Sequence, residues 1–143
     1  MTFRLYNLDR EAHRLVDQYS HEDGVLNESH KMRMTVAYGL ERFWGEHLRL
    51  GVDQPEGRYW KAVWDQLHTI LQPAGIELPR AELTLDSNPQ AKEDNKRQQQ
   101  AYTDDIVNRL WALEASEQDQ YRVALAVLTQ FCDCLVWWTQ RYK

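Results

Sequence analysis

The chain has 143 residues, of which 43% are hydrophobic, and a formal net charge of −5. A chain of this length buries roughly two-thirds of its unfolded surface without disulfides or metal, so residues 1–143 are predicted to form one domain. The negative charge argues against a protein that coats nucleic acid or anionic membranes over its whole surface. We find no signal peptide and no apolar run as long as a membrane span, so we expect the protein in the cytoplasm.

Three helices are predicted in the first half of the chain. The first follows Asp9 and ends before Gly24, whose left-handed conformations suit a helix stop. The second covers about residues 27–50, where apolar residues recur at helical spacing. The third begins near Pro55, a residue that suits the first helical position, and ends before Pro73.

The second half contains one extended loop and two further helices. Residues 73–88 have no helical period and alternate over too few positions for a sheet, so we predict an extended loop. The fourth helix begins with an almost wholly polar stretch, 90–100, which should face solvent or a partner. The last helix, 116–142, starts at a Ser116 cap and is apolar on most sides, so it should be buried. The fold class is therefore all-α, a compact bundle of about five helices.

Two cysteines lie in the predicted last helix. Cys132 and Cys134 are two residues apart, so their side chains point to nearly opposite sides of the helix. They can neither bridge each other nor hold one ion together. This spacing favours two core thiols in a reducing compartment.

A basic stripe on the second helix is the first candidate for function. In a continuous helix its members lie on the side opposite the apolar face, and an exposed tyrosine among them could stack on a base. The alternative is an ordinary solvated face on which Glu41 and Glu46 dilute the charge. The predicted RNA-binding residues are Lys31, Tyr38, Arg42 and Arg49.

The segment from Arg42 to His47 is the second candidate. Its Arg-x4-His spacing resembles the motif of the HEPN ribonuclease family of helical proteins. The resemblance implies metal-independent RNA cleavage, in which His47 handles the 2′-hydroxyl proton and Arg42 stabilises charge on the phosphate. His47 also falls on the apolar stripe, where it would be a core histidine.

Acidic and histidine residues are the third candidate, because helical bundles can hold metals between facing carboxylates and imidazoles. The paired Glu-x-x-His signature of a di-iron bundle is missing, and we predict no metal, cofactor or catalytic residue. The set considered is His13, His21, Glu22, Asp23, Glu28, His30 and His68.

The last helix carries a family resemblance. The stretch Leu128–Cys132 followed by Leu135–Trp138 is similar to the Phe-Cys and Leu-Val pattern in the final helix of some small subunits of type III CRISPR effector complexes. The resemblance covers about 15 of the 143 residues. It implies a helical bundle without catalytic activity that contacts target RNA backbone within a complex for antiviral defence.

The sequence favours a non-enzymatic interaction or scaffold subunit with a protein partner, in an oligomer or complex, and with no membrane contact. RNA would be bound through the stripe on the second helix. Two alternatives stay open. One is a small acidic inhibitor or adaptor that binds another protein, and the other is the HEPN-like ribonuclease that uses Arg42 and His47.

Overall fold

The computed structural model describes residues 5–142 and is all-α. Over these residues the chain forms six α-helices, four short 3-10 turns and no strand. The helices are α1 (Leu5–Tyr19), α2 (Glu28–Thr35), α3 (Leu40–Leu50), α4 (Pro55–Leu71), α5 (Lys92–Ser116) and α6 (Gln118–Tyr142). The predicted all-α bundle is confirmed.

Gly39 divides the predicted second helix in two, so the prediction of one continuous helix over 27–50 is wrong. A 3-10 turn, Val36–Tyr38, follows α2, and Gly39 then adopts φ 99° and ψ 171°. A residue with a side chain rarely adopts that φ. The backbone N–H of Leu40 donates to the hydroxyl of Tyr121 (3.2 Å), which itself donates to Glu41 (3.0 Å). A side chain from α6 therefore holds the first turn of α3.

α6 lies at the centre of the bundle. It packs mainly against α1 and α2, with further contacts to α5 and α4, while α3 packs against α4. The largest buried side chains are aromatic and come chiefly from α3 and α4: Phe43, Trp44, Tyr59, Trp60 and Trp64, together with Phe131 of α6.

A buried hydroxyl network joins three helices inside this core. Thr139 of α6 donates to Ser29 of α2 (2.7 Å), and the Ser29 hydroxyl pairs with that of Tyr59 on α4 (2.7 Å). Beside it, the indole N–H of Trp60 donates to the buried carboxylate of Glu28 (2.9 Å). Buried polar groups that pair only with specific partners fix how these helices lie against each other.

The predicted loop is confirmed as a segment without regular structure from residue 75 to 88, after a 3-10 turn at Gln72–Ala74. Its apolar residues Ile76 and Leu78 are buried. Two α4 side chains anchor its backbone: Trp64 donates to the Pro79 carbonyl (2.9 Å), and His68 Nδ1 donates to the Leu78 carbonyl (2.7 Å). The segment is thus packed onto α4.

The joint between the last two helices differs from the prediction. Ser116 is the last residue of α5, and its hydroxyl donates to the Ala112 carbonyl (2.7 Å) instead of capping α6. Glu117 alone separates the helices, with φ −131° and ψ 58°. Because the Ser116 hydroxyl donates to a carbonyl one turn earlier in α5, it does not cap α6.

One face of α6 is exposed, which corrects the expectation of a helix buried all round. Its exposed residues follow helical spacing from Arg122 through Gln130 and Asp133 to Trp137. In the described part of the chain α6 is the one helix long and apolar enough to span a membrane, whereas no span was predicted. A core helix meets the same criterion, and α6 packs against four other helices.

Candidate interaction surface

The residues of the predicted basic stripe do not lie on one continuous helix. Lys31 is on α2, Tyr38 is in the 3-10 turn, and Arg42 and Arg49 are on α3, beyond the break at Gly39. Lys31 pairs with Glu28 (3.0 Å) and Arg49 with Glu46 (2.7 Å). These two cations are therefore partly neutralised by neighbours on their own helices.

Met34, Tyr38 and Arg42 form an exposed patch, called here the α2–α3 patch. Met34 is 74% exposed and Tyr38 is 67% exposed. Met34 belongs to the last turn of α2, and Tyr38 is the last residue of the 3-10 turn that follows it directly. The Arg42 guanidinium lies 5.7 Å from the centre of the Tyr38 ring, and among residues 5–142 it forms no ion pair.

Arg42 and His47, the two residues of the HEPN-like spacing, face different environments. Arg42 is exposed in the α2–α3 patch, whereas His47 is 2% exposed and belongs to the core. Five helical residues turn through about 500°, which places the two side chains well apart around the helix. The structure does not bring them to a common surface.

His47 is part of a buried polar cluster between α3 and α5. Its Nδ1 contacts the Trp44 carbonyl, which can only accept, so Nδ1 carries the proton. Nε2 then accepts from the Tyr102 hydroxyl (3.1 Å). Behind this pair, the buried indole Nε1 of Trp44 has no hydrogen-bond partner within residues 5–142.

Burial sets the protonation of this cluster. Desolvation lowers the pKa of His47 below its usual value, against the opposing effect of the Trp44 carbonyl. The same burial raises the pKa of Tyr102 to about 12, because the charged form of tyrosine is the deprotonated one. Both groups are therefore neutral near pH 7, as the hydrogen bond between them requires.

The histidine and acidic residues considered for metal binding are dispersed. His13 Nε2 lies 3.0 Å from the Tyr142 hydroxyl, and the His13 ring packs on Trp138 (centroids 4.1 Å apart). His30 contacts Gln140 (3.2 Å), and His68 holds the loop. Over residues 5–142 no three His, Cys, Asp or Glu side chains are placed to hold an ion. Cys132 is buried and Cys134 is half-buried.

Two exposed tryptophans were missed by the sequence analysis. Trp111 of α5 is 57% exposed and Trp137 of α6 is 48% exposed. The Arg141 guanidinium stacks on Trp137, 3.7 Å from its ring centre. Their exposure could have been predicted from the polar residues that share their helix faces, such as Gln130 and Asp133 one and two turns before Trp137.

No protein-family model matches this chain, and neither a curated protein nor a solved structure is significantly similar to it.

Proposed function

We propose that this protein is a non-enzymatic helical subunit of a ribonucleoprotein complex, which contacts single-stranded RNA through the α2–α3 patch. The observation that carries the proposal is the exposed Tyr38 ring with the Arg42 guanidinium over it. Aromatic rings stack on bases of any sequence, and a neighbouring arginine attracts the phosphates. Met34 extends the apolar part of this surface.

The resemblance to small subunits of type III CRISPR effector complexes supports the same proposal. The residues that carry it include Phe131, Cys132 and Leu135, which are buried. They can shape the bundle but cannot touch RNA, so contact has to come from elsewhere on the surface. Lys31 and Arg49 would add charge on either side of the patch once their ion pairs with Glu28 and Glu46 rearrange.

RNA binding is tested with a fluorescent oligouridylate at 50 and 200 mM salt. Arg42→Gln should weaken binding and reduce the slope of log K against log salt by about 0.7, the value for one phosphate contact on a single strand. Tyr38→Ala should weaken binding about fivefold or more without changing that slope, because stacking releases no counterions.

The control is Arg14→Gln, which removes an exposed arginine of α1 that pairs with Glu11. It should leave both affinity and slope unchanged. Equal affinities for the wild type and both patch variants would contradict RNA binding at this surface.

A second candidate is an adaptor that binds another protein, and the exposed Trp111 and Trp137 favour it. Tryptophan is enriched among the residues that dominate protein interfaces. Affinity purification of the full chain at low salt separates the two candidates. A complex that contains RNA supports the ribonucleoprotein subunit, whereas a single protein partner without RNA, lost in Trp137→Ala, supports the adaptor.

A further inference from the structure

A cavity of about 260 Å³ opens beside the His47–Tyr102 cluster, away from the exposed patch. His47 and Tyr102, both buried, form its deep wall, while the exposed Arg58 and Glu82 stand at its mouth. Its lining comes from α1, α3, the turn between α3 and α4, α4, the loop and α5. Six parts of the chain therefore converge on one small space.

Most charged groups at the mouth are already paired with each other. Lys61, only 17% exposed, donates to both oxygens of Asp65 (2.8 Å each) and reaches Glu82 (3.4 Å). Arg80 completes the ring through Asp65 (3.1 Å) and Glu82 (3.0 Å). Two carboxylates and two cations thus balance in a closed network.

Arg58 stands outside this network. Its guanidinium donates to the Asp53 carbonyl (2.5 Å), and the nearest carboxylate in the described part of the chain is Glu22, at 4.0 Å. At that distance and with both side chains nearly half exposed, solvent screens most of the attraction. Arg58 is therefore the most weakly paired cation at the mouth, and its guanidinium donors are available to an incoming anion.

The remaining lining residues and the volume of the cavity favour a small ligand with an apolar part. Val52, Ala62 and Leu83 supply apolar surface, and Tyr19 and Tyr102 line the same space. The volume is several times the ~30 Å³ of one water molecule but lies below the range of about 300 Å³ and more for drug-sized ligands. A single ring with one charged substituent fits these limits.

We propose that this cavity binds a small organic anion, a single-ring carboxylate or phosphate monoester, with the anion held by Arg58 and the ring between Val52, Leu83 and Tyr102. The site is separate from the α2–α3 patch, so it does not depend on RNA binding. The aromatic ring of the ligand would lie against the deep wall of the cavity. The polar groups of that wall, the neutral His47 and Tyr102, are hydrogen-bonded to each other.

The test is a titration of the full chain followed by two-dimensional amide and indole NMR. Benzoate and phenyl phosphate are the anionic probes, and benzamide, with the same ring and no charge, is the matched neutral probe. At least one anion should bind saturably and shift amides of residues 58–62 and 82–83. Benzamide should bind at least about fivefold more weakly, because the charge-assisted hydrogen bond is lost.

Two arginine variants decide the role of Arg58. Arg58→Gln should weaken binding of the anion about fivefold or more, whereas Arg109→Gln, which removes an exposed arginine paired with Asp105 on α5, should not. The relative response of benzoate and phenyl phosphate then identifies the anionic group. The proposal is overturned if neither anion saturates, if benzamide binds equally well, or if both variants lose affinity alike.

Discussion

At the scale of the residue, His47 shows how burial and tautomer work together. The Trp44 carbonyl fixes the proton on Nδ1, and Tyr102 donates to Nε2. A second proton on the ring would turn Nε2 into a donor, so the Tyr102 hydroxyl would have to accept from it and donate instead to the more distant Ala81 carbonyl (3.4 Å). It would also place a desolvated charge in the core. The neutral imidazole is therefore the form that this core accommodates.

Acid should destabilise the protein through His47. The unfolded state binds a proton at His47 below about pH 6.5, whereas the lowered pKa keeps the folded state neutral there. The unfolded state then holds more protons, so this contribution to stability is present above pH 6.5 and lost as the pH falls below it. His47→Gln should show a smaller fall in melting temperature between pH 7.5 and 5.5 than the wild type.

The control for this pH dependence is His21→Gln, which changes an exposed histidine in the turn after α1. It should follow the wild-type curve. If His47→Gln loses as much stability on acidification as the wild type, the buried neutral imidazole is not the cause.

At the scale of the element, the break at Gly39 is the main departure from the predicted helix boundaries. Apolar residues on both sides of it keep the spacing of one helix, since Met32, Val36, Leu40 and Phe43 are all buried. The hydrogen-bond ladder is interrupted, but the 3-10 turn and Gly39 redirect the chain without exposing this face. Periodicity alone therefore predicts the buried residues correctly and the helix boundaries wrongly.

The hydroxyl of Tyr121 should be needed for the start of α3. Tyr121→Phe leaves the buried N–H of Leu40 without its acceptor, which should cost about 1–3 kcal/mol in the free energy of unfolding. Tyr38→Phe removes a hydroxyl from an exposed ring and should change stability by less than about 0.5 kcal/mol. Urea denaturation followed by circular dichroism measures both, and equal effects would mean that this hydrogen bond does not stabilise α3.

At the scale of the whole molecule, the six tryptophans divide into core and surface groups. Trp44, Trp60 and Trp64 are buried between α3 and α4, whereas Trp111 and Trp137 are about half exposed. The buried group supports the fold, and the exposed group is available to partners. Trp138 lies between these cases, half-buried with its indole N–H donated to Asp9 (2.8 Å).

Removing a buried tryptophan should therefore cost more stability than removing an exposed one. Trp64→Ala should cost about 3–5 kcal/mol, because it leaves a cavity and frees the Pro79 carbonyl. Trp137→Ala should cost about 1 kcal/mol, mainly through its contacts with Arg141 and Trp138. Thermal unfolding gives both values, and a loss at Trp137 as large as at Trp64 would place it in the core.

The sequence by itself determined the helical class, the single loop and most core positions, because each depends on local spacing of apolar residues and on Pro and Gly. The break at Gly39 and the exposure of Trp137 depended on tertiary structure. The first is held by Tyr121, which accepts from the backbone N–H of Leu40 across 81 residues of chain. The second is set by which sides of α6 its neighbours cover. The ion-pair network of Lys61, Asp65, Arg80 and Glu82 likewise forms only because the loop packs onto α4, which no local period encodes.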